Sequence, residues 1–339
     1  MVPLFDYLKR QPSFAHSPFN EVDGMVLAEL SSIKFQELNF PGTLRELDHA
    51  FQWWDILPSR ERVSVRLPSY HLLRLAAKSP RFQGIRVVDY VKEVGEDFQF
   101  SATAYALPHN PGLTVVFEGT DHSSAGWREN FQLILGEIPS AQRGADYLCQ
   151  LPQLPLRVVG YSKGGHLASF AAMNGPQDQI EKVFLYDSPG FHRDIFDSED
   201  YERITPKITH LMSHRGVVGH ILHHREVRQF VSTGVHTPPM NHLGYTWRIS
   251  GSRFKRALPD PRALAMGRGI NRYLEEASLQ ERQLAYETVI QLVGREPYIF
   301  GTATVSARAF SHALRSYERL QPQERSLLHR LVTTIKEEL

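Results

Sequence analysis

The chain has 339 residues, 42% of them hydrophobic and 22% charged, with a formal net charge of +1. That is room for one large α/β domain, or one domain with an appendage, and a near-neutral balance excludes an electrostatic case for binding nucleic acid. The single cysteine, Cys149, excludes an internal disulfide framework and fits a reducing compartment. No run approaches about 18 consecutive apolar residues, so no spanning helix is expected. The first ten residues lack the pattern of a signal peptide, and the expectation is a cytoplasmic protein. Sixteen histidines would add positive charge below about pH 6.5.

Residues 20–38 carry helical apolar spacing through Val22, Met25, Val26, Leu30 and Ile33. A further helix or loop is expected over 42–57, ending before Pro58, and a short helix over 69–78. Residues 84–95 and 98–106 read as an antiparallel hairpin. Leu113 to Phe117 reads as a buried strand that breaks at Gly119. Helices are expected over 125–135 and 139–150, then a strand over 156–159. The strands 180–186, 207–212 and 227–232 follow, with a short helix at 217–224. From 261 the sequence is read as helical, with 272–293 and 303–339 rich in Glu, Gln, Arg and Leu. There is no internal repeat, low-complexity tract or heptad series. Strands alternating with helices argue for a mostly parallel sheet covered on both faces. The organisation expected is a core domain over 1–260, with its motifs in 84–250, and a C-terminal helical extension over 261–339 packed on it.

The most informative segment is Val158-Val159-Gly160-Tyr161-Ser162-Lys163-Gly164-Gly165. A β-branched run enters Gly-X-Ser-X-Gly and an apolar helix follows, which is the strand–turn–helix setting of the nucleophile elbow of α/β-hydrolases. The turn lifts the serine hydroxyl clear of the backbone, and the helix start points free N–H groups and a positive dipole at a developing oxyanion. A glycine-rich turn with an incidental serine is the bland alternative. Lys163 is read as a helix-start residue, not as half of a Ser–Lys dyad.

A serine nucleophile needs a histidine base and an acid to orient it. Asp187 ends an apolar strand in Asp187-Ser188-Pro189-Gly190, at the sheet edge that carries ligands in open α/β folds. Asp194, Asp197 and Asp260 fall in polar loop sequence, and an Asx-type turn is the other reading of Asp187. For the base, His242 lies in a loop beyond the last clear strand, and His236 in the same loop is its main rival. His210, His214, His220, His223, His224 and His312 sit in less suitable strand or helix settings. Phe117-Glu118-Gly119-Thr120-Asp121 ends a strand in a glycine turn, which can supply one oxyanion donor from the Thr120 N–H, with the Lys163 N–H as the second. A plain β-turn is the alternative there. His220, His223 and His224 have a spacing that can present three imidazoles on one helical face, but no cysteine or carboxylate cluster accompanies them, and a wetted helix end is the expectation.

Taken together, these segments resemble a bacterial, Mbeg-like family of lipase-like α/β-hydrolases of unassigned function, and more distantly the class 3 lipases. The matching pieces are Phe19-Asn20-Glu21-Val22-Asp23, Phe117 to Asp121, Gly126-Trp127-Arg128-Glu129-Asn130-Phe131, Gly160 to Gly165, Tyr186 to Phe191, Gly216 to Gly219, and Asn241-His242 with Trp247. The resemblance covers roughly residues 19–255 and implies Ser162 as nucleophile, with Asp187 and His242 in the family's acid and histidine motifs. It departs at Glu118, where the family and the lipases favour Arg. It departs again at Arg215 and Gly216, where class 3 lipases carry their acid.

The expectation is therefore a serine hydrolase that cleaves a carboxylic ester of a lipid or other small acyl compound by a Ser162–Asp187–His242 triad. No cofactor or metal is needed. Any lipid or membrane contact would be peripheral. Residues 121–139 are expected to form a cap whose apolar face is Trp127, Phe131, Leu133 and Ile134. A thioesterase or peptidase would use the same machinery, and a hydrolase fold kept as a weakly active binding or scaffold module is the alternative of a different class.

Overall fold

A computed structural model describes residues 3–38, 40–50, 66–121, 123–235, 240–293 and 316–339. Eight strands form one sheet in sequential order: β1 (Gly42–Thr43), β2 (Arg86–Val94), β3 (Gln99–Ala106), β4 (Leu113–Phe117), β5 (Leu156–Tyr161), β6 (Ile180–Tyr186), β7 (Ile208–Ser213) and β8 (Arg228–Val231). β1 through β4 pair antiparallel, and β4 through β8 pair parallel. Alternation along the central strands sends successive side chains to opposite faces. Val116, Val159, Phe184 and Tyr186 enter one apolar core with Val22, Met25 and Val26 of α2 (Glu21–Leu30). Val115, Val158 and Leu185 enter the other, with Leu148 of α6 (Pro139–Gln150) and Leu167, Ala168 and Ala171 of α7 (Lys163–Asn174). Helices on both faces of a sheet whose carboxyl edge bears the elbow give the α/β-hydrolase class of fold.

The helix expected over 20–38 stops at Leu30, because Ser31 and Ser32 turn their hydroxyls back on the carbonyls of Ala28 and Glu29. Of the 42–57 expectation, Gly42–Thr43 is strand β1 and Leu44–Ala50 is helical, while 51–57 lie outside the described residues. The short helix expected over 217–224 is a single 3-10 turn, Val218–His220, followed by Leu222 at φ 64°. Its three histidines take separate partners, so the helical spacing has no helix to act on. Beyond residue 260 come α10 (Pro261–Glu276), α11 (Leu279–Val293) and α12 (Pro322–Glu338), while residues 303–315 lie outside the described residues. A Cβ at Gly269 of α10 would stand 2.7 Å from the Ile335 Cα, so α10 and α12 meet backbone to backbone. Among the described residues no helix is long and apolar enough to cross a membrane.

The segment Phe19 to Asp23 is structural. Asn20 and Asp23 form a reciprocal capping box at the start of α2. The Arg81 guanidinium donates to both Asp23 oxygens at 2.8 and 2.6 Å, and to the carbonyls of Pro12, Ser17 and Pro18. Both side chains are fully buried. Removing one partner leaves the other charge uncompensated, which costs about 3–5 kcal/mol. Asp23→Ala is expected to lose that much unfolding free energy in a urea titration; a loss below about 1 kcal/mol would contradict this reading.

Candidate active site

Ser162 sits between β5 and α7 at φ 56°, ψ −131°, a backbone conformation that costs a non-glycine residue about 1–3 kcal/mol. The crossing is close. A Cβ on Gly160 would collide with the Gly164 carbonyl, and a Cβ on Gly164 with the Phe117 carbonyl at the end of β4. The Ser162 N–H donates to Tyr186 O at 2.9 Å and its carbonyl accepts from Gly165 N at 2.9 Å. The strain is thus held by bonds to the next strand and to the helix start.

Asp187 follows β6 with φ 45°, its N–H bonded to Leu211 O at 2.8 Å and its side chain fully buried. Its Oδ2 lies 2.7 Å from Nδ1 of His242. Space for the carboxylate comes from two glycines after β7. A Cβ on Gly216 would stand 2.7 Å from Oδ2, and one on Gly219 2.9 Å from Oδ1. The carboxylate reached from β6 therefore lies against the segment that follows β7. Asp260 instead caps α10, and Asp194 lies in a cleft described below.

His242 ends a 3-10 turn, Met240–His242, while His236 lies outside the described residues. The loop is fastened on both sides: the Trp247 indole donates to Asn241 O at 3.2 Å, and the Asn241 amide donates to Arg215 O at 2.9 Å. The His242 ring stacks on Tyr161, with centroids 4.8 Å apart, and the Tyr161 hydroxyl donates to His242 O at 2.9 Å. Since Tyr161 precedes Ser162, this brings the imidazole to the elbow. A carboxylate on Nδ1 fixes that nitrogen as the protonated one and leaves Nε2 with its lone pair. Glu29 packs against Gly244 of the same loop. Burial pushes its carboxyl up to about 8, against hydrogen bonds from Tyr245 and the Gly244 backbone.

The Phe117–Asp121 turn abuts the elbow: a Cβ on Gly119 would lie 3.6 Å from Ser162 Cβ. Thr120, next to it, keeps its hydroxyl oxygen buried. Glu118, the departure noted in the sequence, is neutralised by Lys92, whose ammonium is 2.7 Å from Glu118 and 3.2 Å from Asp121. Burial raises the Glu118 carboxyl and would lower Lys92, but the two carboxylates outweigh that and hold Lys92 above its ordinary range. The Lys163 side chain is more than a helix-start residue. Its ammonium, lowered by burial, is fully inaccessible and lies 2.6 Å from Glu129 Oε2 on α5 (Ser124–Gln132). Trp127 and Phe131 of α5 have ring centroids 5.9 Å apart. A cleft of about 550 Å³ opens beside α7, one turn on from Ser162, lined among others by Leu135, Glu137, His166, Phe191, Asp194 and Arg282.

The three histidines of the 217–224 segment diverge. His223 pairs with Glu275, His220 stacks on Phe230, and His224 Nδ1 is 3.1 Å from Glu226. The residues that converge are His210, His224 and Glu226. Glu226 Oε1 also meets His210 Nδ1 at 2.7 Å, and its Oε2 accepts from the Tyr201 hydroxyl at 2.5 Å. His210 Nε2 accepts the Ser188 N–H at 3.4 Å, which requires the proton on Nδ1. A metal on Nδ1 would turn an N–H onto that donor, so this donor set fits a hydrogen-bonded carboxylate better than an ion. Burial would raise Glu226, but the two histidines outweigh it and hold the carboxyl well below its usual range.

The chain matches the Mbeg1-like family over residues 76–291, and it belongs to that family. Similar solved structures include M37 lipase, at 13% identity over 95% of this chain and 98% of that one with a TM-score of 0.41. A mutant form of MDLA from Penicillium cyclopium matches at 13% identity over 70% and 84%, with a TM-score of 0.37. The Rhizomucor miehei lipase in its propeptide complex matches at 10% identity over 63% and 68%, with a TM-score of 0.34. No curated protein sequence matches the chain.

Burial, with Arg228 nearby, lowers His220 from 6.5 to about 4. The folded value lies below the unfolded one, so the stability of the neutral ring is complete above about pH 6.5 and is lost as pH falls toward 4. His220→Gln should lose less unfolding free energy than wild type between pH 7 and pH 4, by up to about 3 kcal/mol. Equal acid losses in paired urea titrations would contradict it.

Proposed function

We propose that the protein is a serine hydrolase that cleaves a carboxylic ester through an acyl-enzyme. Ser162 attacks the carbonyl, and His242 Nε2 takes the serine proton and returns it to the leaving alcohol. Asp187 orients the ring and stabilises its cation, and the backbone N–H groups of Thr120 and Lys163 receive the oxyanion. Water then attacks the acyl carbon with His242 as base and frees Ser162. The observation that carries the reading is the 2.7 Å contact between a fully buried carboxylate and Nδ1 of an imidazole stacked beside a strained elbow serine. On this reading α5 with Trp127 and Phe131 borders the substrate. The helices after residue 260 are read as part of the same domain, with Gly267 against His220. The lone Cys149 fits a cytoplasmic location.

Labelling with a fluorophosphonate probe and intact-mass measurement tests the nucleophile. Wild type should gain one adduct, and Ser162→Ala should gain none while losing ester hydrolysis by at least about 10³-fold with its melting temperature retained. His242→Ala should also lose most activity. Equal turnover in wild type and a folded Ser162→Ala protein would remove the assignment and favour the binding or scaffold alternative.

A further inference from the structure

The geometry points to α5 as a fixed wall of the site, and so to a substrate that is a dissolved ester taken from solution and not an aggregated lipid surface. The substrate half of this rests on the serine hydrolase reading; the fixed wall does not.

Three observations carry it. First, Glu129 ties α5 to three other elements. Its Oε2 accepts from the Lys163 ammonium at 2.6 Å and from Gln99 N at 3.1 Å, and its Oε1 accepts from Ser140 N at 3.1 Å. The ammonium also donates to Gln99 O at 2.8 Å, and neither charged side chain is accessible. Swinging α5 away would strand a buried carboxylate and a buried ammonium, one of the most costly states a protein interior can adopt. Second, the end of α5 is clamped by later elements. His192 Nε2 lies 2.9 Å from Leu133 O, and Arg282 donates to Ile134 O at 3.2 Å. Ile134 itself packs against the apolar cluster of Leu222, Tyr273, Leu274 and Ala277. A movable cover would be free on this side.

Third, α5 itself does not suit a lipid interface. Of Trp127, Phe131, Leu133 and Ile134, Leu133 is buried and the others are half-buried, so α5 offers no exposed apolar face of the kind that enters a headgroup layer.

Two measurements on the full chain test this. Hydrogen exchange of the 124–132 peptide should be as slow as that of β5 and unchanged by phosphatidylcholine vesicles, and Glu129→Gln should speed it about 100-fold or more. Tributyrin hydrolysis should saturate below the solubility limit of the ester and show no step when an emulsion forms. Faster exchange of α5 on adding vesicles, or a rise in rate at the emulsion point, would overturn the inference while leaving the hydrolase reading in place. Slow exchange with no fluorophosphonate labelling and no turnover would remove the substrate half together with the hydrolase reading.

Discussion

The site depends on one contact, Asp187 Oδ2 to His242 Nδ1. Much of the local structure is arranged to allow it. The acid must leave the end of β6 at a positive φ, which an aspartate adopts at a cost of about 1–2 kcal/mol. It is held there by a hydrogen bond to β7 and enters a hollow that Gly216 and Gly219 keep open. The histidine arrives from a loop whose neighbours are fixed by Trp247 and Asn241. Tyr161 then joins the two halves, since its ring supports the imidazole while its backbone leads into Ser162.

Around that contact, charged groups are buried in pairs where distant segments meet. Arg81 with Asp23 binds α2 to the turn that precedes β2. Lys92 with Glu118 and Asp121 holds the turn beside the elbow. Lys163 with Glu129 holds the helix start against α5. Such pairs contribute little net stability over apolar packing, but a displaced partner is heavily penalised, and so they fix position. Catalysis by preorganised donors needs that kind of fixity more than it needs stability.

Much of this was legible in the sequence where the signal is local. Gly-X-Ser-X-Gly after a β-branched run gives the elbow, and the apolar runs give β4, β6 and β7 nearly to the residue. Asp187 could be selected because it ends such a run, and His242 because it follows the last clear strand. What was hidden is pairwise and long-range. Nothing near Lys163 announces Glu129, 34 positions away, and nothing near Glu118 announces Lys92. The 217–224 spacing misled because the segment is one 3-10 turn followed by irregular chain, where helical period carries no meaning. The glycines at 216 and 219 carried a signal that could have been used: small residues at a strand end where an acid is expected leave space for an acid from a neighbouring strand.

The most direct test of this account is the rate at which the fluorophosphonate probe labels Ser162 in Asp187→Asn, measured beside the melting curve. If Asp187 orients His242, the asparagine protein labels and turns over slower than wild type by as much as about 10⁴-fold, with Ser162 still in place. If Asp187 only caps its turn, the variant melts earlier, by about 1 kcal/mol of stability, and labels at the wild-type rate. That second result would contradict the triad.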